Sequence, residues 1–286
     1  MPNLKDIRRR IRSVKKTQQI TRAMRMVAGA KLRRAQNAVT QARPYATRMR
    51  ATLGEVARMQ QDSVHPLLDP RPETRRVEVV VVTSNRGLCG AFNANVLRFA
   101  DRLVAARARD GVEVTITCVG RKAIEYFGRR RPGQLGEKHA YDGWASYASA
   151  AELATLVSER FVAGAVDEVV LIFSEFVSAM TQTPRNVRLL PAAPEAAGSD
   201  APLPVEIEPS SEKLLALLVP KALEVEIFSA LLENQAGEHA ARMAAMESAT
   251  RNSEDMISRL TLQFNRARQA AITKELVEIV SGAEAL

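Results

Sequence analysis

The clearest candidate for chemistry is a short segment from Ser84 to Asn93, which contains Gly87 and Gly90 and follows a run of valines. A turn of this kind between a strand and a helix can bind phosphate, because backbone amides point outward from the helix N-terminus. The segment has neither GxGxxG spacing nor the lysine of a Walker motif. A structural strand-to-helix turn is therefore the favoured interpretation, with a nucleotide site as the alternative.

The histidines and cysteines give weak signals for catalysis. His65, His139 and His239 are scattered, and no HExxH, GxSxG or carboxylate pair accompanies them. Cys89 and Cys118 show neither the spacing of a zinc site nor the density of a disulfide scaffold. We expect both cysteines to be small buried residues, and we predict no catalytic residue, no metal site and no cofactor.

Charge is distributed very unevenly along the chain. Residues 1–60 hold 16 Lys or Arg against only Asp6 and Glu55, a balance of +14 within a whole-chain charge of +9, so the remainder carries −5. A block of like charge this long is typical of an interaction arm. Nucleic acid could neutralise it, but Tyr45 is the only aromatic residue available there for base stacking. A protein-facing helix is favoured, and nucleic-acid binding and a solvated charged face are the alternatives.

A heptad seam runs through most of this basic flank, where apolar or small residues recur at alternating steps of three and four. The members of the seam are Leu4, Ile7, Ile11, Val14, Ala28, Leu32, Ala35, Val39, Ala42, Met49, Leu53 and Val56. Polar Gln18, Thr21 and Arg25 interrupt it, which fits either a register-setting layer or a surface that moves against changing neighbours. The pattern predicts a helix from about 3 to 57 that needs a partner helix.

The C-terminal flank can supply that partner. Ser210 or Ser211 can cap a helix that runs to about Ala283, with Pro220 and Gly237 as interruptions. From residue 221 onward it carries seven basic and ten acidic residues, so it complements the basic arm. Because a domain separates the two flanks, antiparallel pairing is the simplest geometry.

Residues 61–210 hold ten of the 14 Gly and ten of the 13 Pro, and their pattern alternates between strand and helix. The predicted strands are 77–84, 112–119, 168–173 and 182–190, and the predicted helices are 93–109, 121–130 and 147–165. Continuous β-branched runs favour a mainly parallel sheet. The expected fold class is α/β, with a long antiparallel coiled coil of the N- and C-terminal helices and a central Rossmann-like α/β domain. The expected domains are 1–60, 61–209 and 210–286.

Apolar runs such as 79–82 and 214–219 are far shorter than the roughly 18–20 residues that span a bilayer. The first residues also lack the apolar centre of a secretory signal. We therefore expect a cytoplasmic chain whose membrane association, if any, is peripheral.

Four segments resemble the gamma subunit of F-type ATP synthases, namely residues 17–28, 83–93, 238–246 and 265–282. They lie at both ends and at the first strand, so the resemblance covers essentially the whole chain. No inserted cysteine pair like that of the redox-regulated plastid form is present, which favours a bacterial type.

The resemblance implies a non-catalytic rotor shaft. Its paired terminal helices would enter a hexamer of alternating alpha and beta subunits, and its α/β domain would lie below with the epsilon subunit on the c-ring, at the cytoplasmic face of the inner membrane. Proton flow would turn the shaft and drive the beta subunits through their binding states. No nucleic acid and no stable homo-oligomer are expected.

The resemblance also implies partner-contact residues on the shaft. They are Met24, Arg242, Arg268, Gln269, Thr273 and Glu275, expected near the beta subunits or at the upper contact of the helix pair. The apolar end, residues 276–286, would turn in a sleeve at the top of the hexamer.

Overall fold

The structure, a computed structural model, describes residues 4–59, 65–140, 144–192 and 210–284. Its longest elements are the terminal helices, α1 (Leu4–Met59) and α5 (Ser211–Glu284). The chain forms two compact units, one from Met1–Gly29 with Arg242–Leu286 and the other from Ala30–Ala241. Each terminal helix contributes residues to both units, so each unit contains a stretch of α1 and a stretch of α5.

The predicted seam of α1 is confirmed by burial. Ala28, Leu32, Ala35 and Val39 are each at most 4% exposed. The helix keeps one face against α5 because these positions recur at heptad spacing. Its bounds differ from the prediction by only one or two residues at each end.

Helix α5 begins at the predicted cap. Ser210 caps it, because its carbonyl and hydroxyl oxygens accept from the amides of Leu214 and Lys213 at 3.0 and 3.3 Å. The helix is continuous through Pro220 and Gly237, so it does not restart at either residue. At Gly237 an added Cβ would lie 3.0 Å from the Phe92 ring, so the glycine allows close packing there.

The part of the chain between α1 and α5 forms a five-stranded sheet in the order β3-β2-β1-β4-β5. Its strands are β1 (Arg76–Val82), β2 (Glu113–Val119), β3 (Leu135–His139), β4 (Glu168–Phe176) and β5 (Gln182–Leu190). The first four strands are parallel and β5 is antiparallel to β4. The sheet and the antiparallel helix pairs described below confirm the expected fold class.

Three shorter helices cover the sheet: α2 (Phe92–Arg109), α3 (Arg121–Arg130) and α4 (Tyr147–Val162). Val77, Val79 and Val81 face α2 and α3, while Val80 and Val82 lie in a second core with α4 and α5. Opposite faces of one strand thus fill two cores, as alternation along a strand requires.

The structure departs most from the sequence prediction at β3, β4 and α4. Strand β3 was missed, because its residues LGEKH are half-exposed and lack β-branched side chains. Strand β4 extends to Phe176 instead of 173, and α4 ends at Val162 instead of 165. The predicted linkers at 61–75 and 192–209 lie partly outside the described residues.

Candidate interaction surface

In the unit of Met1–Gly29 and Arg242–Leu286, α1 and α5 pair antiparallel. Thr21 contacts Thr250, and Arg25, one helical turn further along α1, contacts Glu247, one turn back along α5. Toward the start of α1, the Arg8 guanidinium carbon lies 5.4 Å from the centre of the Phe264 ring. The register is therefore constant over this stretch.

The centre of this pairing is polar. The Thr21 and Thr250 hydroxyl oxygens are 2.9 Å apart, and the two residues are only 8% and 6% exposed. The Gln18 amide donates to Glu254 Oε1 at 3.0 Å. Glu247 accepts from Arg25, and this hydrogen bond holds the pKa of the carboxyl below its ordinary value. These three residue pairs form successive layers of the helix pair, and each layer is joined by a hydrogen bond.

Three large apolar side chains of the same stretch are exposed. Ile20, Met26 and Val27 are 56–60% exposed, although apolar residues normally fill the inside of a helix pair. Three polar layers inside the helix pair and three exposed apolar side chains outside it depart from the pattern of a self-sufficient coiled coil. Exposed apolar side chains grouped this way are typical of an interaction surface.

The last turns of α5 carry a second apolar surface. In the constant register Leu4, the first described residue of α1, lies opposite residue 268, so Gln269–Glu284 lies beyond the described part of α1. The side chains there include the exposed apolar residues Ile272, Leu276, Val277, Ile279 and Val280, which are 48–68% exposed. We refer to Gln269–Glu284 as the α5 tip.

The six predicted contact residues all lie in this unit. Met24 and Arg242 are half-buried, whereas Arg268, Gln269, Thr273 and Glu275 are exposed. The Thr273 hydroxyl donates to the Gln269 carbonyl at 3.0 Å, so it is held along its own helix. The four exposed residues lie at or just before the α5 tip.

The unit of Ala30–Ala241 contains a separate antiparallel helix contact. Arg43 and Arg50 pair with Glu233 and Glu226, each at 3.4 Å. Glu233 also accepts from the Phe176 amide at 3.4 Å, but burial dominates and raises the pKa of its carboxyl. Part of the basic charge on α1 is therefore offset by acidic residues of α5.

The candidate phosphate-binding turn is tied to α2 and α3 by hydrogen bonds. At the start of α3 the amides of Arg121, Lys122 and Ala123 donate to the Asn85 side chain, the Ser84 carbonyl and the Thr83 hydroxyl, at 2.9–3.2 Å. Asn93 accepts from the Ser84 amide at 3.0 Å and ties the turn to α2. This geometry favours the interpretation as a structural turn.

Both cysteines are buried, as predicted. Burial raises the pKa of the Cys118 thiol to about 12, and the nearby Lys138 lowers it only in part. No group of three or more His, Cys, Asp or Glu among the described residues is placed to hold a metal ion. Within the same residues, no helix is both long enough and apolar enough to cross a membrane.

The comparisons with known proteins agree with this geometry. The ATP synthase family model matches residues 3–286. The ATP synthase gamma chain of Anaeromyxobacter dehalogenans strain 2CP-1 is 49% identical over 290 residues, covering 100% of both chains. This chain belongs to the ATP synthase gamma-chain family.

Chains in two solved ATP synthase structures have a similar fold. A chain from the central stalk and c-ring of the Tetrahymena thermophila mitochondrial ATP synthase has a TM-score of 0.62 and 25% identity, covering 80% of this chain and 99% of that one. A chain of the Euglena gracilis mitochondrial enzyme has a TM-score of 0.69 at 20% identity, covering 99% and 94%, and supports the fold. As a family member, this chain is a stalk subunit of the synthase.

Sequence reasoning missed one cluster in the unit of Ala30–Ala241. The Arg34 guanidinium carbon lies 4.4 Å from the centre of the Trp144 ring, and that ring meets His239 edge-on at 5.6 Å. His239 is only 7% exposed, so this ring contact is buried. The one available signal was that Trp144 is the only tryptophan in the chain.

Proposed function

We propose that this chain is the rotating central shaft of a proton-translocating F-type ATP synthase. It transmits torque between the membrane c-ring and the catalytic hexamer of alpha and beta subunits, during synthesis or hydrolysis of ATP. Its functional parts are a shaft helix at 1–60, an α/β domain at 61–209 and a second shaft helix at 210–286. The catalytic residues and nucleotides belong to the beta subunits.

The observation that carries this proposal is the exposed apolar surface of the α5 tip. Leu276, Val277, Ile279 and Val280 are each more than half exposed, on a stretch of α5 beyond the described part of α1. Apolar side chains around a helix end are stabilised when an apolar sleeve surrounds them. A sleeve at the top of the hexamer supplies such a surface without fixing one orientation of the helix.

The predicted contact residues fit the same placement. Arg268, Gln269, Thr273 and Glu275 are exposed, and Met24 lies next to the apolar surface formed by Ile20, Met26 and Val27. We propose that these residues and Arg242 contact the beta subunits as the shaft turns.

The remaining partners follow from the resemblance and from the stalk structures. The α/β domain would contact the epsilon subunit and the c-ring, so the chain would be peripheral at the cytoplasmic face of the bacterial inner membrane. One copy serves each complex, because a single shaft occupies the centre of the hexamer.

Cysteine cross-linking in the assembled complex tests the contacts. Arg268→Cys and Glu275→Cys should each form a disulfide with a cysteine placed on the beta-subunit surface that faces the shaft. Lys213→Cys, exposed near the start of α5, is the matched control and should give none. Equal yields at all three positions would overturn the assigned contacts.

Deletion of residues 1–25 tests the function itself. The truncated chain lacks the α1 partner of residues 247–268, so proton-driven ATP synthesis in membrane vesicles should be lost while the beta subunits still bind nucleotide. Normal synthesis would contradict the proposal. Salt-dependent retention of the isolated chain on DNA, or micromolar ATP binding by calorimetry, would support the nucleic-acid or nucleotide alternative instead.

A further inference from the structure

We infer that three consecutive polar layers fix the register in which α1 and α5 pair. They are Gln18 with Glu254, Thr21 with Thr250, and Arg25 with Glu247, and we call them the polar layers. A few polar residues in an otherwise apolar seam can select one alignment, because every other alignment leaves them facing apolar groups.

The apolar layers cannot make this selection by themselves. In the observed register Val14 lies opposite Ile257, seven residues from the threonine pair on each helix. A slide of one heptad would place Val14 opposite Phe264, which also lies in the seam and is half-buried. Apolar side chains would therefore meet apolar side chains in both alignments, with little to distinguish them.

The threonine pair disfavours a slide in either direction. Moving α5 by one heptad would bring Thr21 opposite Ile257 in one direction and Met243 in the other. Thr250 would then face Ala28 or Val14. Both slides separate the two hydroxyls, which lie 2.9 Å apart in the observed register.

The hydroxyls also connect the two backbones. Thr250 Oγ1 lies 2.7 Å from the Met246 carbonyl and Thr21 Oγ1 lies 3.0 Å from the Gln18 carbonyl, so one hydroxyl donates within its own helix while the other donates across the pair. After a slide each hydroxyl would fall back on a carbonyl of its own helix, as Thr21 can with Gln18 at 3.0 Å. The bond between the helices exists only in the observed register.

Each of the two outer polar layers disfavours a slide of α5 in one direction. In the slide that brings Arg25 opposite Glu254, the charge pair survives but Gln18 would face Thr261. In the opposite slide Gln18 would meet Glu247, and Arg25 would lose its acidic partner. The observed alignment alone joins all three layers, so Gln18, Thr21 and Arg25 act together as positioning residues.

A fixed register has a consequence that rests on the proposed function. One heptad is about 10 Å of helix, at a rise of about 1.5 Å per residue. A slide would displace the apolar surface at Ile20 and Val27 by that distance relative to the α5 tip. If the two helices slipped by one heptad under torque, the two apolar surfaces would no longer lie beside the partner surfaces that they contact.

Disulfide trapping in the assembled complex tests the inference. Val14→Cys with Ile257→Cys reports the observed register, and Val14→Cys with Phe264→Cys reports the slipped one. In the Thr21→Val/Thr250→Val background the slipped disulfide should rise several-fold, while the thermal midpoint stays equal or increases. If the substitutions only destabilised the fold, the thermal midpoint of unfolding would fall. If the double variant does not assemble, the yields of the two disulfides are compared in the single variants Thr21→Val and Thr250→Val.

Two control backgrounds should keep the observed disulfide only. Thr21→Ser/Thr250→Ser retains both hydroxyls. Thr17→Val/Thr261→Val removes two exposed hydroxyls that likewise bond to carbonyls four residues back, at 3.3 and 2.8 Å. An unchanged register in the Thr21→Val/Thr250→Val background would overturn the inference. A slipped disulfide together with normal proton-driven synthesis would uphold the inference and contradict the shaft function, so the two failures are distinguishable.

Discussion

The guanidinium carbon of Arg34 lies 4.4 Å from the centre of the Trp144 ring, which joins α1 to the segment that precedes α4. A cation at this distance from an indole face is attracted by the ring quadrupole. Within the unit of Ala30–Ala241, this contact fastens a terminal helix to the α/β layer. It is measurable because Trp144 is the chain's only tryptophan.

Replacing Arg34 by alanine should therefore change the fluorescence of Trp144. We expect a red shift of the emission, because the ring gains water, and a loss of roughly 0.5–1 kcal/mol of unfolding free energy. Arg33→Ala, at an exposed position one residue earlier, is the control and should change neither quantity. Equal shifts in the two variants would show that Arg34 does not cover the ring.

Gly120 should not tolerate a side chain. Its φ is +100°, and an added Cβ would lie 2.3 Å from the Thr83 carbonyl oxygen. Because backbone stands in the way, Gly120→Ala should cost more than about 3 kcal/mol in urea unfolding. Gly111 has φ +78° and open space around it, so Gly111→Ala should cost only about 1–2 kcal/mol. Similar losses for both variants would be inconsistent with this packing.

Asp167 should stabilise the start of β1 in a pH-dependent way. Burial alone would raise the pKa of its carboxyl, but hydrogen bonds from the backbone and side chain of Arg76 and from the Arg75 amide outweigh burial and lower the pKa. A lowered pKa means that the stabilisation is present at neutral pH and disappears as the pH falls through the folded-state pKa.

Asp167→Asn should accordingly lose about 1–2 kcal/mol at pH 7, measured by urea unfolding. The difference from the parent chain should shrink toward acid pH. Asp110→Asn, at the exposed end of α2, should stay within about 0.5 kcal/mol. If the difference in unfolding free energy between Asp167→Asn and the parent chain grew as the pH fell, the lowered pKa of Asp167 would be contradicted.

Cys118 should resist alkylation in the folded chain. Burial raises the pKa of its thiol to about 12, so almost no thiolate exists at pH 8. Mass spectrometry after iodoacetamide treatment should find Cys118 unmodified in native protein and modified in urea. Rapid native modification at pH 8 would contradict the buried placement.

Much of the fold could be predicted because it follows from periodicity and composition. The heptad seam identified α1, and the Gly and Pro distribution separated the central domain from the long helices. Strand β3 was not predictable, since Leu135–His139 is a short edge strand stabilised by pairing with β2 rather than by its own residues. The continuity of α5 through Pro220 was not predictable either, since packing of the long helix rather than local propensity keeps it continuous.

The candidate site was predictable in part. Sequence identified Gln18, Thr21 and Arg25 as polar residues in an apolar seam, and left open whether they set the register. Their partners could not be assigned, because many alignments of two heptad helices bury the apolar residues equally well. Glu78 was also missed: it is fully buried in β1 and accepts hydrogen bonds from Thr117 and Arg160, although charged residues are usually exposed.

The most direct test of the shaft function is rotation of this chain in an assembled complex. With the alpha and beta subunits fixed to a surface and a bead attached to the α/β domain through Arg109→Cys, an exposed position at the end of α2, addition of ATP should turn the bead in one direction. Three stopping angles per turn are expected, because three beta subunits surround the shaft. A bead that stays still while the same complexes hydrolyse ATP would contradict the account.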